Sequence, residues 1–154
     1  MKSILIAMLV AMTLPFGLAT PARAGSGDVV VENAWSRASI GTSRPGAAYM
    51  DIRNAGDEDV TLTGLRTDLA GMPEVHLTST NNQGVSSMSP VGEIAIAPGE
   101  TVALAPGGMH AMLMQLRRPM EEGETFPLTL LFSDGGEVTV EVPIRGIAAR
   151  GPDD

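Results

Sequence analysis

The 154-residue sequence contains no cysteine. A chain without thiols has no disulfide framework, no thiolate nucleophile and no cysteine ligand for zinc. A blue-copper centre is excluded as well, because its copper requires a cysteine thiolate. A folded domain must therefore be held together by its core alone, and a metal site must use other donors.

Basic residues are also scarce. Ten Lys and Arg stand against 18 Asp and Glu, and Lys2 is the only lysine. Without Lys2 and Arg23, which lie in the N-terminal segment described next, eight basic residues remain against 18 acidic ones, a net charge of −10. Nucleic-acid binding requires a basic surface, so we expect no nucleic-acid partner.

The first 24 residues have the pattern of an export signal. Met1-Lys2 gives a positive start, residues 4–18 are mostly apolar, and Ala22-Arg23-Ala24 is a small-x-small cleavage site. The apolar run is shorter than the roughly 20 residues of a membrane-spanning helix, although an anchor is the alternative. The sequence predicts a signal peptide over 1–24, a mature periplasmic chain from Gly25, and no membrane insertion after processing.

The remaining chain alternates short strand-like runs with turns, and no stretch has a helical apolar stripe. The run 48–52 alternates, as does 60–63, which predicts a hairpin with a longer loop between them. The clearest hairpin joins 128–132 to 138–144 through Ser133–Gly136. About eight or nine strands with frequent turns predict an all-β fold, an antiparallel Greek-key β-barrel or sandwich. We expect one domain over 25–147 and a loose C-terminal tail over 148–154.

Both histidines of the chain fall in strand-like stretches. Side chains alternate in a strand, so His110 and Met112 share one face, together with Met114. Around His76, the apolar Val75 and Leu77 share a face, which predicts that His76 points the other way and lies outside the core.

The methionines have two competing interpretations, which are packing in the core and binding of a metal ion. Met50 and Met114 suit gap-filling in a core, the usual role of methionine. Met88 lies between serines, a poor neighbourhood for a buried thioether. Imidazole and thioether together suit Cu(I), whereas zinc prefers thiolate, imidazole or carboxylate.

The spacing of these residues resembles the copper motif of the periplasmic PCu(A)C chaperones, H-x10-M-x21-H-x-M. Here 21 residues separate Met88 from His110, and one separates His110 from Met112. Eleven residues rather than ten separate His76 from Met88, and the turn at 81–84 can absorb the extra residue. The resemblance covers nearly the whole mature chain.

The resemblance implies a cupredoxin-like β-barrel that binds one Cu(I) per chain through His76, Met88, His110 and Met112. It further implies a non-enzymatic metallochaperone that delivers copper for assembly of the Cu(A) centre of cytochrome c oxidase. The implied protein partners are cytochrome c oxidase subunit II and the Sco-type thiol copper proteins, and we expect a monomer.

Other classes of function remain open at the level of the sequence. A metal-dependent hydrolase needs a carboxylate ligand or a general base, for which Glu74 lies close enough to His76 in sequence. An immunoglobulin-like binding module without metal would explain the strands and the export signal, but it leaves the shared His and Met pattern unexplained.

Overall fold

The computed structural model describes residues 26–154, so the predicted signal peptide, its cleavage site and Gly25 lie outside the described residues. A 3₁₀ turn at Ser26–Asp28 precedes ten strands. The strands are β1 (Val29–Arg37), β2 (Gly46–Asn54), β3 (Val60–Arg66), β4 (Ala70–Thr80), β5 (Ser86–Pro90), β6 (Ile94–Ile96), β7 (Thr101–Leu104), β8 (Met109–Leu116), β9 (Thr125–Phe132) and β10 (Glu137–Arg145). The predicted all-β class is confirmed. No helix among the described residues has the length and apolarity of a membrane span.

The strands form one sheet in the order β5-β4-β8-β2-β1-β10-β9-β3-β6, and β7 pairs with β2. The β1 and β10 strands run parallel where Ser36–Arg37 meet Ile144–Arg145, and the other recorded pairs within residues 26–154 are antiparallel. Most neighbours are not consecutive in the chain, as in Greek-key connections. The β5 and β6 strands are the two edges.

Alternating apolar side chains build the core between the two layers of this sheet. In β2, Ala48, Met50 and Ile52 are at most 1% exposed, as their alternation predicts. Met50 therefore fills the core, in agreement with the ordinary role of methionine. Phe126 and Leu128 of β9 are equally buried in the same cluster.

The predicted hairpin between β2 and β3 is wrong. The β2 strand pairs with β1, β7 and β8, whereas β3 pairs with β6 and β9. Asn54, which is fully buried, donates from Nδ2 to the carbonyls of Glu58 (2.6 Å) and Ile96 (3.0 Å). The loop after β2 is thereby fixed near β6, because these bonds direct the chain away from β2. Alternation identified both strands but carried no information about their partners.

The predicted hairpin between β9 and β10 is confirmed, with Leu128 opposite Val140. Asp134 in its turn accepts backbone hydrogen bonds from Ser26 and Gly136, at 2.9 and 2.8 Å. These bonds, the one from Ser26 first, hold the pKa of Asp134 below its ordinary value. The start of the described chain is thus attached to this turn.

The predicted C-terminal tail, 148–154, contains no strand but contacts the sheet. Ala149 is 6% exposed and packs with Trp35 and Tyr49, whose ring centroids are 4.6 Å apart. Arg37 lies over both rings and donates from Nε to the carbonyl of Ala149 at 2.6 Å. The beginning of the tail therefore covers an aromatic pair.

Candidate metal centre

The antiparallel pairing of β4 with β8 places the two histidines directly opposite each other. His76 is the cross-strand partner of His110, and the centroids of their rings are 6.3 Å apart. Directly opposed residues in an antiparallel pair point to the same face, with Cβ atoms about 4.5–5.5 Å apart. Residues 34 positions apart in sequence therefore become neighbours on one face.

The two methionines of the sequence motif lie on that same face. Met112 is opposite Glu74 in the β4–β8 pair, two residues from the histidine pair on each strand. Met88 is opposite Thr78 in the β4–β5 pair, and Thr78 shares the face of His76 because it is two residues away. The structure thus brings His76, Met88, His110 and Met112 onto one face of three adjacent strands.

The turn between β4 and β5 accommodates the long spacing between His76 and Met88. Asn81 accepts the amide of Gly84 at its carbonyl, and its amide donates to the carbonyl of Val85, both at 3.0 Å. Gly84 has φ +78°, a left-handed conformation suited to glycine. Thr80 pairs with Ser86 across this turn and Thr78 pairs with Met88, so Met88 lies on the face of His76 despite the longer spacing.

The expected exposure along β4 is partly wrong. Val75 is buried as predicted, but Leu77 is 41% exposed. His76, predicted to lie outside the core, is only 9% exposed, and His110 only 6%. Leu77 pairs with Met109, the first residue of β8, so the inner layer no longer covers β4 beyond this point. Both imidazoles are thus buried, while Met88 remains 58% exposed at the sheet edge.

In the neutral form of each ring, the hydrogen bonds assign different tautomers to the two imidazoles. His76 Nε2 lies 3.2 Å from Glu74 Oε2, and His110 Nδ1 lies 3.2 Å from the carbonyl oxygen of Gly108. Carboxylate and carbonyl oxygens only accept, so each of these two nitrogens carries the proton of its neutral ring. The lone pairs are therefore left on His76 Nδ1 and His110 Nε2.

His76 Nδ1 is buried and has no hydrogen-bond partner within residues 26–154. A buried nitrogen without a partner is uncommon and calls for a cause. The nitrogen of a metal-binding histidine is such a case, and its other ring nitrogen ordinarily donates to a carboxylate or a carbonyl. Glu74 for His76 and the Gly108 carbonyl for His110 are acceptors of this kind.

The donors on the face that holds the two histidines are neutral imidazoles and soft, neutral thioethers, apart from the carboxylate of Glu74. Among the described residues, no three His, Cys, Asp or Glu side chains come together in a metal-binding arrangement. Met114, which lies two residues beyond Met112, is half-buried on this face and pairs with Met72. The sequence already placed Glu74 near His76, and the structure adds the contact itself, with Glu74 Oε2 3.2 Å from His76 Nε2.

Comparisons with known proteins identify the family and the fold of this chain. Residues 29–144 match the family model described as "Putative lipoprotein LpqE-like". A protein of Leifsonia xyli subsp. xyli named "Putative lipoprotein Lxx21020" is 36% identical over 135 residues, which cover 88% of this chain and 80% of that protein.

Two solved structures show the same fold. The solution structure of Cu(I)-DR1885 from Deinococcus radiodurans is 34% identical, with a TM-score of 0.62 over 80% of this chain and 81% of that one. The apo PCuAC domain of PmoF2 is 24% identical, with a TM-score of 0.64 over 81% of this chain and 95% of that domain.

The fold is a cupredoxin-like β sandwich, with imidazole and thioether groups gathered near one sheet edge. The chain belongs to the LpqE-like family, and its resemblance to the PCu(A)C proteins, inferred from the motif, is confirmed.

We predict opposite neutral tautomers for the two histidines in the metal-free protein. Long-range ¹H–¹⁵N NMR spectra at mildly alkaline pH should show the proton on Nε2 of His76 and on Nδ1 of His110. Glu74→Gln should make the His76 signals a mixture, because the anionic acceptor is lost, while Glu93→Gln on the exposed surface should change neither ring. A wild-type His76 protonated mainly on Nδ1 would refute the assignment.

Proposed function

We propose that this chain binds one Cu(I) ion per molecule through His76, Met88, His110 and Met112 and acts as a copper chaperone. The observation that carries the proposal is the face on which the β4–β8 and β4–β5 registers gather two imidazoles and two thioethers. Such a set suits Cu(I), a soft ion with little preference for geometry. Cu(I) is present in the solved structure of DR1885, which is 34% identical.

The imidazole lone pairs favour Cu(I) binding further. The buried Nδ1 of His76 has no hydrogen-bond partner within residues 26–154, and Glu74 and Gly108 accept from the other nitrogens of the two rings in the assigned tautomers. Four neutral ligands leave the charge of Cu(I) uncompensated, and the Glu74 carboxylate is the nearby group that offsets it. We therefore expect a moderate affinity for Cu(I) and ready exchange of the ion, both of which suit a carrier of copper.

The exposure of the ligands suggests how the ion enters and leaves. His76 and His110 are buried, whereas Met88 is 58% exposed on β5, an edge strand whose residues are all exposed. A thioether has no proton to lose, and it binds the ion through a single sulfur lone pair. A donor from another protein can therefore replace Met88 on the ion. The Met88 side is therefore the proposed route of transfer.

The proposed acceptor route is assembly of the Cu(A) centre of cytochrome c oxidase, with subunit II and Sco-type thiol proteins as partners. Its support is membership of the PCu(A)C family, together with the exposed Met88. We place the chain in the periplasm on the basis of the signal pattern over 1–24 and of the lipoprotein names of the matched family and of the Leifsonia xyli relative. We further propose that it is a monomer. We propose no enzymatic activity, because two imidazoles and two thioethers would fill four positions on the metal and leave none open for a hydrolytic water.

The ligand set predicts a specific pattern of affinities. In anaerobic competition with a Cu(I) chelator, His76→Ala, His110→Ala and Met112→Leu should each weaken binding by about tenfold or more, a decade being about 1.4 kcal/mol. Met88→Leu should do the same. Glu74→Gln should weaken binding by about 10–100-fold, the range for outer-shell partners.

Met109→Leu is the matched control for these variants. Met109 lies next to His110 on β8 but points to the opposite face, where it packs against the core. Its affinity should stay within about twofold of the wild-type value. Equal weakening by Met109→Leu, or unchanged affinity in the histidine variants, would contradict the ligand assignment.

Delivery to Cu(A) is tested with the exported protein loaded with Cu(I) and mixed with the apo soluble domain of subunit II. The Cu(I) should move to the acceptor faster from wild-type protein than from Met88→Leu, and the purple Cu(A) spectrum should develop once oxidant and a second copper are supplied. Copper that stays on this chain would refute delivery while leaving Cu(I) binding intact.

The N-terminal sequence of the exported protein should begin at Gly25, and an intact Met1 would refute the periplasmic placement.

A further inference from the structure

A second group of methionines extends the same face away from β5. Met72 is the direct cross-strand partner of Met114, and Met112 lies two residues before Met114 on the same side of β8. Opposed Cβ atoms are about 4.5–5.5 Å apart and diagonal ones about 7–8 Å, so flexible thioethers can meet at one point. Three sulfur atoms therefore lie within reach of each other.

Core packing does not account for these side chains. Met50 and Met120 are at most 1% exposed and fill the interior, as methionine ordinarily does. Met72, in contrast, is 41% exposed, and Met114 is only half-buried and absent from the core cluster. An exposed thioether opposite another gains little from burial, so a different role fits Met72 better.

Backbone conformation and hydrogen bonds fix the end of the β4–β8 pair at which Met72 and Met114 lie. Gln115, directly after Met114, has φ +56°, a conformation rarely adopted by residues other than glycine. Its side chain folds over Gly71, where a Cβ atom would lie 2.8 Å from Gln115 Oε1. The amide of Arg117 then donates to the carbonyl of Leu69 at 2.9 Å. These contacts keep β8 registered on β4 beside Met72.

We propose that Met72, Met112 and Met114 form a second, sulfur-only seat for Cu(I), next to the seat that contains the histidines. Three neutral thioethers suit a soft monovalent ion and are poor ligands for zinc or calcium. Because Met112 belongs to both seats, one ion occupies either seat at a time. The ion can move along β8 without leaving Met112. The inference rests on the proposed function only in taking Cu(I) as the cargo.

The test removes the histidines from the full mature chain and uses Cu(I) itself as the probe. The His76→Ala/His110→Ala protein, carrying ¹³C-methyl methionine, should bind one Cu(I) under anaerobic conditions more weakly than wild type. The methyl signals of Met72, Met112 and Met114 should shift, and that of Met88 should not. Adding Met72→Leu and Met114→Leu should lower the remaining affinity by about tenfold or more, whereas Met109→Leu should not.

The outcomes separate this inference from the proposed function. If the double-histidine protein binds no Cu(I) while wild type does, or if the leucine substitutions change nothing, the sulfur-only seat is refuted and the histidine seat stands. If wild type and the double-histidine protein bind Cu(I) equally tightly, the histidine seat is refuted instead. The His76→Asn/His110→Asn protein, which keeps polar side chains of similar size, replaces the alanine protein if the latter does not fold.

Discussion

The register between β4 and β8 is the constraint on which the candidate centre depends. Their antiparallel pairing sets His76 opposite His110, Glu74 opposite Met112 and Met72 opposite Met114. A slip of one residue would reverse the faces of one strand relative to the core. Val75 and Ala111, buried on the inner face of the same two strands, resist such a slip because it would expose them. The core packing that fixes the register of β4 and β8 therefore also fixes the positions of the donors on the opposite face.

Burial and exposure divide the tasks among the donors. The imidazoles are nearly enclosed, and each is held by one acceptor, Glu74 for His76 and the Gly108 carbonyl for His110. Met88 lies on an edge strand, open to solvent and to another protein. In the proposed function, the enclosed nitrogen donors would provide recognition and the open thioether would provide exchange. Such a division would make the proposed site selective for a soft ion without holding it permanently.

Much of this arrangement could be predicted from sequence, because side-chain alternation depends on the strand alone. The shared face of His110 and Met112 and the hairpin of β9 with β10 followed directly. Partner choice did not: β2 and β3 do not pair, and the bonds from Asn54 to the carbonyls of Glu58 and Ile96 that fix the loop between them are not encoded by periodicity. The burial of His76 was missed because the face opposite a core is covered only when three strands and their side chains assemble.

The most direct measurement of the central claim is X-ray absorption spectroscopy at the copper edge, on the mature protein loaded with one equivalent of Cu(I). If His76, Met88, His110 and Met112 hold the ion, the first shell should contain nitrogen and sulfur together, with the outer scattering pattern of imidazole. A first shell of nitrogen and oxygen alone, without sulfur, would contradict the account.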